Sequence, residues 1–122
     1  MLTVYGLKNC DTCRKALKWL TDQGISHRFH DVRSDGIAPA DVKRFAGAAD
    51  WEKLLNKAST TWRSLPKNTT ENIAEASALK LMAEHPTLIK RPVFDDGKGS
   101  IVVGFRDPQK VSIKALAKAR PK

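Results

Sequence analysis

An apolar run gives way to a pair of cysteines in the stretch Val4-Tyr5-Gly6-Leu7-Lys8-Asn9-Cys10-Asp11-Thr12-Cys13-Arg14-Lys15, which contains both cysteines of the chain. The apolar run ends at a polar turn, and Cys10 then opens a segment with helical spacing. A thiol at the start of a helix lies among unpaired backbone N–H groups and at the positive end of the helix dipole, and both stabilise its thiolate. Cys10 is therefore the first candidate for a reactive residue.

The sequence on either side of this stretch predicts a β-α-β unit. Residues 2–5 alternate in polarity like a short strand, and residues 10–23 repeat apolar positions at helical spacing until Gly24. Residues 25–32 then resume as a second strand. A crossover through a helix makes two such strands parallel. This is the setting in which a C-x-x-C pair is typical of redox proteins.

Residues 39–84 predict a series of helices. Pro39 lies near the start of the first, and Asp50 caps a short second helix over residues 51–55. Residues 56–66 predict a loop with a short helical turn. A long helix is predicted from residue 69 or 70 to 84, and His85-Pro86 ends it. Its expected inner side carries Ile73, Ala76, Leu79 (or Lys80) and Met82 or Ala83.

The last third of the chain predicts a hairpin and a final helix. A strand begins near Pro92, residues 95–99 (Asp-Asp-Gly-Lys-Gly) give a turn signal, and residues 101–103 form the next strand. The final helix starts at Asp107-Pro108, with Val111, Ile113 (or Lys114) and Leu116 as its apolar positions. The element order is β-α-β, helical insert, α, β-β-α, which makes the chain an α/β protein. We expect one domain over residues 1–122, with the helical insert at about 39–84.

Charge and hydropathy limit the partners and the compartment. The chain of 122 residues has 22 Lys and Arg against 13 Asp and Glu, a net charge of +9 that favours anionic partners. The last sixteen residues hold five basic side chains and one acidic, and we interpret this basic end as a solvated helix face rather than a nucleic-acid site. No apolar run approaches the roughly 18 residues of a membrane-spanning helix, and no signal peptide is visible. The expected location is the cytoplasm, without a membrane partner.

The C-x-x-C pair by itself leaves three alternatives: a zinc site, a redox dithiol and coincidence. A structural zinc site needs four ligands, and the remaining candidates are His27, His30 and His85. His27 and His30 lie three apart on a strand and point to opposite faces, so no metal site is expected. Cys13 falls on the inner side of the helix, where a small buried hydrophobe is an equal alternative to a functional thiol.

Basic residues at loops supply candidates for binding an anion. Lys8, Arg14, Lys90, Arg91 and Arg106 all lie at or beside loops that a sheet with flanking helices brings to one edge. Arg91 stands out because it precedes a proline that opens a strand. The proline restricts the local backbone and so fixes the direction of the guanidinium group.

Two stretches together, residues 5–16 around Cys10 and residues 84–93 with Ile89-Lys90-Arg91-Pro92, resemble the arsenate reductase (ArsC) family. That family includes arsenate reductases, Spx transcription regulators and small YffB-type proteins regarded as glutathione-dependent thiol reductases. Residues 51–57, residues 59–63 and the Val103-Gly104-Phe105 segment are most similar to the YffB type. The resemblance implies a thioredoxin-like fold with a central, mixed four-stranded sheet and a helical insert.

The same resemblance implies a glutathione-dependent thiol/disulfide oxidoreductase. Cys10 falls on the family's nucleophilic cysteine, and Arg91 and Pro92 fall on an arginine and a cis-proline of its active site. Cys13 is then a candidate resolving thiol. Glutathione is the expected co-substrate, glutaredoxin a further partner, and no tightly bound cofactor is expected. The residues assigned to substrate or glutathione binding are Lys8, Asn9, Arg14, Arg91, Pro92 and Arg106.

Two departures from the family pattern bear on the substrate. Asn56 follows Leu54-Leu55 where the arsenate reductases place an arginine, and Phe105 stands where they place another, with Arg106 one position on. These changes weigh against arsenate reduction and favour a thiol reductase whose substrate is a disulfide or a small oxyanion, although a true glutathione- and glutaredoxin-coupled arsenate reductase remains an alternative. The C-x-x-C pair also resembles the redox switch of the Spx regulators, which gives a second alternative, a regulator that binds RNA polymerase.

Overall fold

The computed structural model describes residues 2–119, so that Arg120 and Lys122 of the basic C-terminal end lie outside it. Four strands and seven α-helices follow the predicted order, and a short 3-10 helix precedes the third strand. The elements are β1 (Leu2–Gly6), α1 (Asp11–Asp22), β2 (His27–Asp31), α2 (Pro39–Ala49), α3 (Trp51–Leu54), α4 (Thr60–Ser64), α5 (Lys67–Thr70), α6 (Glu75–Glu84), the 3-10 helix (Pro86–Leu88), β3 (Val93–Asp95), β4 (Ile101–Val103) and α7 (Asp107–Ala119).

The strands form one mixed sheet in the order β2-β1-β3-β4. β1 and β2 are parallel, as the helical crossover through α1 predicts. β1 pairs antiparallel with β3, and β3 pairs antiparallel with β4 across the predicted turn. The prediction of an α/β fold with a mixed four-stranded sheet is therefore confirmed.

Helices cover both faces of this sheet. On one face Leu2 and Val4 of β1 pack with Leu20 of α1 and Ile113 of α7, all fully buried. On the other face the buried side chains come mainly from α2, α3 and α6 and from the segment before β3. Because alternate residues of a strand point to opposite faces, Tyr5 of β1 contacts this second cluster. The sheet is thus the middle layer of three, with β4 at one lateral edge.

The prediction of one long helix over residues 69–84 was wrong. The structure has two helices, α5 and α6, separated by residues 71–74. The hydroxyl of Ser77 accepts the backbone N–H of Ala74 at 3.0 Å, and this local bond starts α6 as a separate helix. The side of α6 that packs inward therefore carries Ala78 and Met82, four residues apart, while Ala76 is exposed.

One predicted apolar position of the final helix was also wrong. Ile113 is fully buried, but Val111 is 70% exposed. Residues two apart on a helix point about 200° from each other, so Val111 and Ile113 cannot both face the sheet. Among residues 2–119, no helix combines the length and the hydropathy needed to cross a membrane.

Candidate active site

Cys10 lies at the N-terminus of α1, as predicted. It is the N-cap residue, with an extended backbone, and its carbonyl accepts the N–H of Arg14 at 3.0 Å. Its side chain makes no capping hydrogen bond to the helix and is partly exposed to solvent. The thiol is therefore free to react at a position where backbone N–H groups favour its charged form.

The turn that presents Cys10 is fixed by a buried carboxylate, Asp31, at the end of β2. Asp31 accepts the backbone N–H of Lys8 at 3.1 Å, together with those of Arg33 and Ser34 at 2.8 and 3.0 Å. These bonds, that from Ser34 first, hold the pKa of Asp31 below its usual value. The parallel pairing puts Asp31 opposite Gly6, so the carboxyl ends of both strands meet beside the cysteine turn.

Sequence reasoning missed Asp31. The available signal was an aspartate that ends a strand and is followed within three residues by Ser34, a pattern typical of a side-chain-capped turn. Its bond to Lys8, 23 positions away in sequence, depends on the pairing of β1 with β2 and could not be inferred from the local pattern.

Cys13 is fully buried on the inner side of α1 and packs against the end of β1. A Cβ atom added to Gly6 would lie 2.5 Å from the Cys13 sulfur, so the glycine leaves the space that the thiol occupies. Gly6 has no left-handed backbone, and the close approach of α1 to β1 is thus the reason for a glycine at this position. Cys10 and Cys13 are both free thiols in this structure.

The two thiols differ in their electrostatic surroundings. Burial alone would raise the pKa of Cys10, but hydrogen bonding from the Cys13 backbone N–H and thiol and from the Arg91 guanidinium, with the charge of Arg91, lowers it overall. Burial, together with the neighbouring Cys10 thiolate, raises the pKa of Cys13 to about 12. Of the two thiols, Cys10 therefore has the lower pKa and loses its proton first.

Arg91 approaches Cys10 from the other end of the chain. It precedes a cis-proline, Pro92, as the resemblance implied. One terminal nitrogen, Nη1, donates to the backbone carbonyls of Thr87 and Ile89 at 3.0 and 3.4 Å. Its Nε–H is buried and has no acceptor among the described residues. A buried donor without a partner is costly, and a bound anion would satisfy it.

The helical insert holds the segment that carries Arg91. The N–H of Lys90 donates to the Leu54 carbonyl at 2.8 Å, and the N–H of Asn56 donates to the Leu88 carbonyl at 2.7 Å. The hydroxyls of Thr61 and Thr87 bond to each other at 2.6 Å. These contacts connect α3 and α4 to the residues just before β3, and so the insert fixes the approach of Arg91 to the cysteine.

A half-open cleft of about 810 Å³ begins at Arg91 and Thr12 and extends along β4. Its lining contains basic residues from three parts of the chain and no acidic residue. The basic residues of the lining are Lys53, Lys90, Arg91 and Arg106.

The structure brings together some of the predicted site residues and separates others. Cys10, Cys13 and Arg91 meet as described, Pro92 is buried beside them, and Arg106 lines the cleft. The remaining three, Lys8, Asn9 and Arg14, are exposed and do not line the cleft.

The Arg14 guanidinium is turned toward its own loop. Its Nε donates to the Lys8 carbonyl, and Nη1 pairs with Asp11, both at 3.1 Å. These bonds brace the first turn of α1.

The two positions that depart from the arsenate reductase pattern do not direct a cation toward Cys10. The Asn56 side chain accepts the N–H of Ala58 at 3.1 Å and so stabilises its own turn. The Phe105 ring packs edge-on against Trp19 of α1, with ring centroids 5.5 Å apart. Across residues 2–119, no cluster of three or more His, Cys, Asp or Glu side chains is placed to hold a metal ion.

The sequence model of the ArsC family matches residues 5–112. The chain belongs to the ArsC family. One relative of this chain is an uncharacterized protein of Haemophilus influenzae. The two are 46% identical over 110 residues, which cover 89% of this chain and 95% of the relative. The global transcriptional regulator Spx of Bacillus subtilis is 25% identical over 111 residues, 89% of this chain and 83% of the regulator.

Two solved structures support the same assignment. A protein named YFFB has a TM-score of 0.86 and 36% sequence identity, covering 96% of this chain and all of that one. An arsenate reductase (ArsC) related protein of Brucella melitensis has a TM-score of 0.73 and 43% identity, covering 91% and 92%. The thioredoxin-like ArsC fold and the likeness to YffB-type proteins are thereby confirmed, and relatives of this ArsC protein include both arsenate reductase-like proteins and regulators.

Proposed function

We propose that this ArsC-family protein is a glutathione-dependent thiol/disulfide oxidoreductase with Cys10 as its nucleophile. The observation that carries the proposal is the contrast between two neighbouring thiols. Cys10 is partly exposed at a helix N-terminus beside Arg91, with a lowered pKa, while Cys13 is buried with a pKa raised to about 12. Low pKa and access are what distinguish a reactive cysteine from a structural one.

The proposed reaction proceeds in two thiol-disulfide exchanges. The Cys10 thiolate attacks the glutathione sulfur of a mixed disulfide, a new bond forms between these two sulfurs, and the substrate sulfur leaves as a thiolate that takes a proton from water. A second glutathione thiolate then attacks the glutathione sulfur on Cys10. Glutathione disulfide leaves, and the Cys10 thiolate is restored. Two electrons pass from glutathione to the substrate, with Cys10 unchanged overall.

Arg91 has two roles in this proposal. Its charge stabilises the Cys10 thiolate before attack and after release. Its unpartnered Nε–H offers a donor to a carboxylate of glutathione, an anion that suits a planar guanidinium. The Arg91 guanidinium thus binds glutathione in this proposal, rather than an oxyanion.

Glutathione fits the role of resolving thiol better than Cys13 does. Once Cys10 is in a mixed disulfide, its negative charge no longer raises the pKa of Cys13, but burial, the largest cause, remains. A buried and protonated thiol is a poor attacking group. Cys13 then serves as the small side chain packed at Gly6, and its thiol helps to lower the pKa of Cys10.

The experiment is glutathione-coupled turnover of a small disulfide by three proteins: the wild type, Cys10→Ser and Cys13→Ala. We expect loss of turnover in the first variant and retention of most of it in the second. Equal loss in both variants would show an intramolecular dithiol mechanism, and turnover in Cys10→Ser would refute the nucleophile assignment. Arsenate-dependent NADPH oxidation in the presence of glutaredoxin is measured in parallel, and no sustained rate is expected because Asn56 and Phe105 supply no cation.

The regulator alternative rests on the similarity to Spx and on the C-x-x-C pair with both thiols free. It predicts capture of RNA polymerase by the immobilised protein, and a change in that capture on oxidation. Polymerase capture without disulfide turnover would reject the oxidoreductase and support a regulator. Turnover that depends on Cys10, without capture, would reject the regulator.

A further inference from the structure

Strand β4 is the free edge of the sheet near the cysteine site. It is hydrogen-bonded to β3 alone. The N–H of Gly104 donates to the Pro92 carbonyl at 2.9 Å, which makes these two residues a hydrogen-bonded pair of the antiparallel ladder. Because such pairs alternate along the ladder, Val102 bonds to Phe94, whereas the N–H and C=O groups of Ile101 and Val103 point away from β3.

The two residues with outward backbone groups are part of the wall of the cleft. Ile101 and Val103 line it, between Lys53 at one wall and Gln109 at the other. Within residues 2–119, no backbone or side-chain group is hydrogen-bonded to the outer side of β4. Cys10 itself does not line the cleft, but Thr12, two residues after it, and Arg91, whose charge acts on its thiol, both do, so one part of the cleft lies near the cysteine.

The charge of the cleft is one-sided. Lys53, Lys90, Arg91 and Arg106 line it without an acidic neighbour in the lining. None of the four forms an ion pair with an acidic side chain in the part of the chain that the structure describes. Arg91 also faces the Cys10 thiolate, but Lys53, Lys90 and Arg106 have no anionic partner among the described residues, and together they favour an anionic occupant.

We propose that this cleft docks an extended acidic polypeptide segment, which pairs with β4 as an added strand and brings its disulfide-bonded cysteine to Cys10. The inference rests on the proposed function and gives its substrate class, a glutathione mixed disulfide of an acidic polypeptide. An added strand supplies both donors and acceptors at the spacing of Ile101 and Val103. A nucleic-acid backbone presents acceptor oxygens and leaves the two outward carbonyls unpaired, so it fits the edge less well.

The chemical step is the exchange given above with the polypeptide as leaving group. The bond between Cys10 sulfur and glutathione sulfur forms as the bond between glutathione and the polypeptide cysteine breaks. The electron pair goes to the polypeptide sulfur, which takes a proton from water. Glutathione then restores Cys10, so the reductant is the one already named.

Hydrogen exchange with a defined probe tests the docking. The probe is the acetylated and amidated peptide Glu-Val-Glu-Cys-Glu-Val-Glu, with its cysteine in a mixed disulfide with glutathione, added to full-length Cys10→Ser protein. We expect the amides of Ile101 and Val103 to exchange about tenfold more slowly on binding, equivalent to about 1.4 kcal/mol. Val102 bonds to β3 and should change little. The same peptide with Lys in place of Glu, or with N-methyl groups on alternate backbone nitrogens, should give no such protection.

Charge variants provide a second measurement. Replacing Lys53 and Lys90 by Gln should lower the affinity for the acidic peptide about tenfold, at up to ~1 kcal/mol for each exposed charge. The matched control replaces Lys43 and Lys80 by Gln; both are exposed outside the cleft and form no ion pair among the described residues, and the variant should bind the peptide as the wild type does.

Three results would overturn the inference. The first is peptide binding without protection of the Ile101 and Val103 amides, and the second is equal protection by the Lys peptide. The third is protection of both amides before peptide is added, because it would mean that a second copy of the chain covers the edge. Turnover of a small glutathione disulfide with no peptide binding would remove the docking site and leave the proposed function. Peptide protection in a protein without any turnover would support the docking site and reject the proposed function.

Discussion

Replacing Arg91 by Gln should raise the pKa of Cys10 and slow its reaction at neutral pH. Arg91 lowers that pKa both by hydrogen bonding and by its positive charge. Partial exposure of Cys10 to solvent weakens this electrostatic effect without removing it. We expect a higher pKa and therefore a smaller thiolate fraction at neutral pH, so that alkylation of Cys10 slows by up to about tenfold.

The assay is the rate of alkylation of Cys10 by iodoacetamide as a function of pH, read by mass spectrometry with Cys13 in place. Cys13 is buried and its pKa is raised to about 12, so it does not compete for the reagent. In the protein with Arg91, the rate should rise through a pKa below the free-cysteine value of ~8.5. In Arg91→Gln the whole profile should move to higher pH. Arg91→Lys keeps the charge but not the planar fork, so its profile should lie between the two.

The folded state of the protein must be the same in all variants, and this is checked by urea unfolding. A Cys10 pKa that is unchanged in Arg91→Gln would refute the reasoning, because it would mean that the helix N-terminus and the backbone of Cys13 stabilise the thiolate without the arginine. A value at or above ~8.5 in the parent protein would refute the premise that Cys10 is activated at all.

Three further predictions concern stability and are measured by urea unfolding. Gly6→Ala should lower the free energy of unfolding by about 1–3 kcal/mol, because the added Cβ overlaps the Cys13 sulfur. Adding Cys13→Ala to this variant should relieve most of that loss. Additive effects of the two substitutions on the free energy of unfolding would contradict the packing explanation. Asp31→Ala should cost about 2–3 kcal/mol at neutral pH, since it leaves three backbone N–H groups unpaired, and the loss should vanish as pH falls from ~3.9 through the lowered pKa of Asp31. Ile113→Ala should cost about 2–5 kcal/mol, whereas the matched Val111→Ala should stay within about 0.5 kcal/mol.

Local patterns were sufficient for most of the fold. The β-α-β unit and the closing hairpin and helix follow from periodicity and turn signals over short windows, and the structure has them in the predicted order. Two predictions failed: the long helix over 69–84 and the inward Val111. In both segments the apolar residues were compatible with more than one choice of the helix face that packs inward. The Ser77 bond to Ala74 and the packing of Ala78 select the phase of α6, and neither is visible in the apolar pattern.

The candidate site divides in the same way. The predicted helix start marked Cys10 as a reactive thiol, and the following proline marked Arg91 as a fixed cation. Both signals lie within a few residues of the side chain concerned. The fixing of the cysteine turn by Asp31 and the burial of Cys13 against Gly6 depend on strand pairing and on packing between elements.

By itself, the sequence determined the order of the elements, the place of Cys10 at a helix start and the importance of Arg91. Only the tertiary structure decided that Arg91 reaches Cys10, that Arg14 turns back to its own loop, and that β4 presents a free edge to a basic cleft. The physical reason is the distance along the chain over which each kind of interaction acts. Helix dipoles, caps and turns act over a few residues, whereas contacts between residues eighty positions apart form only when the sheet and the helical insert fold against each other.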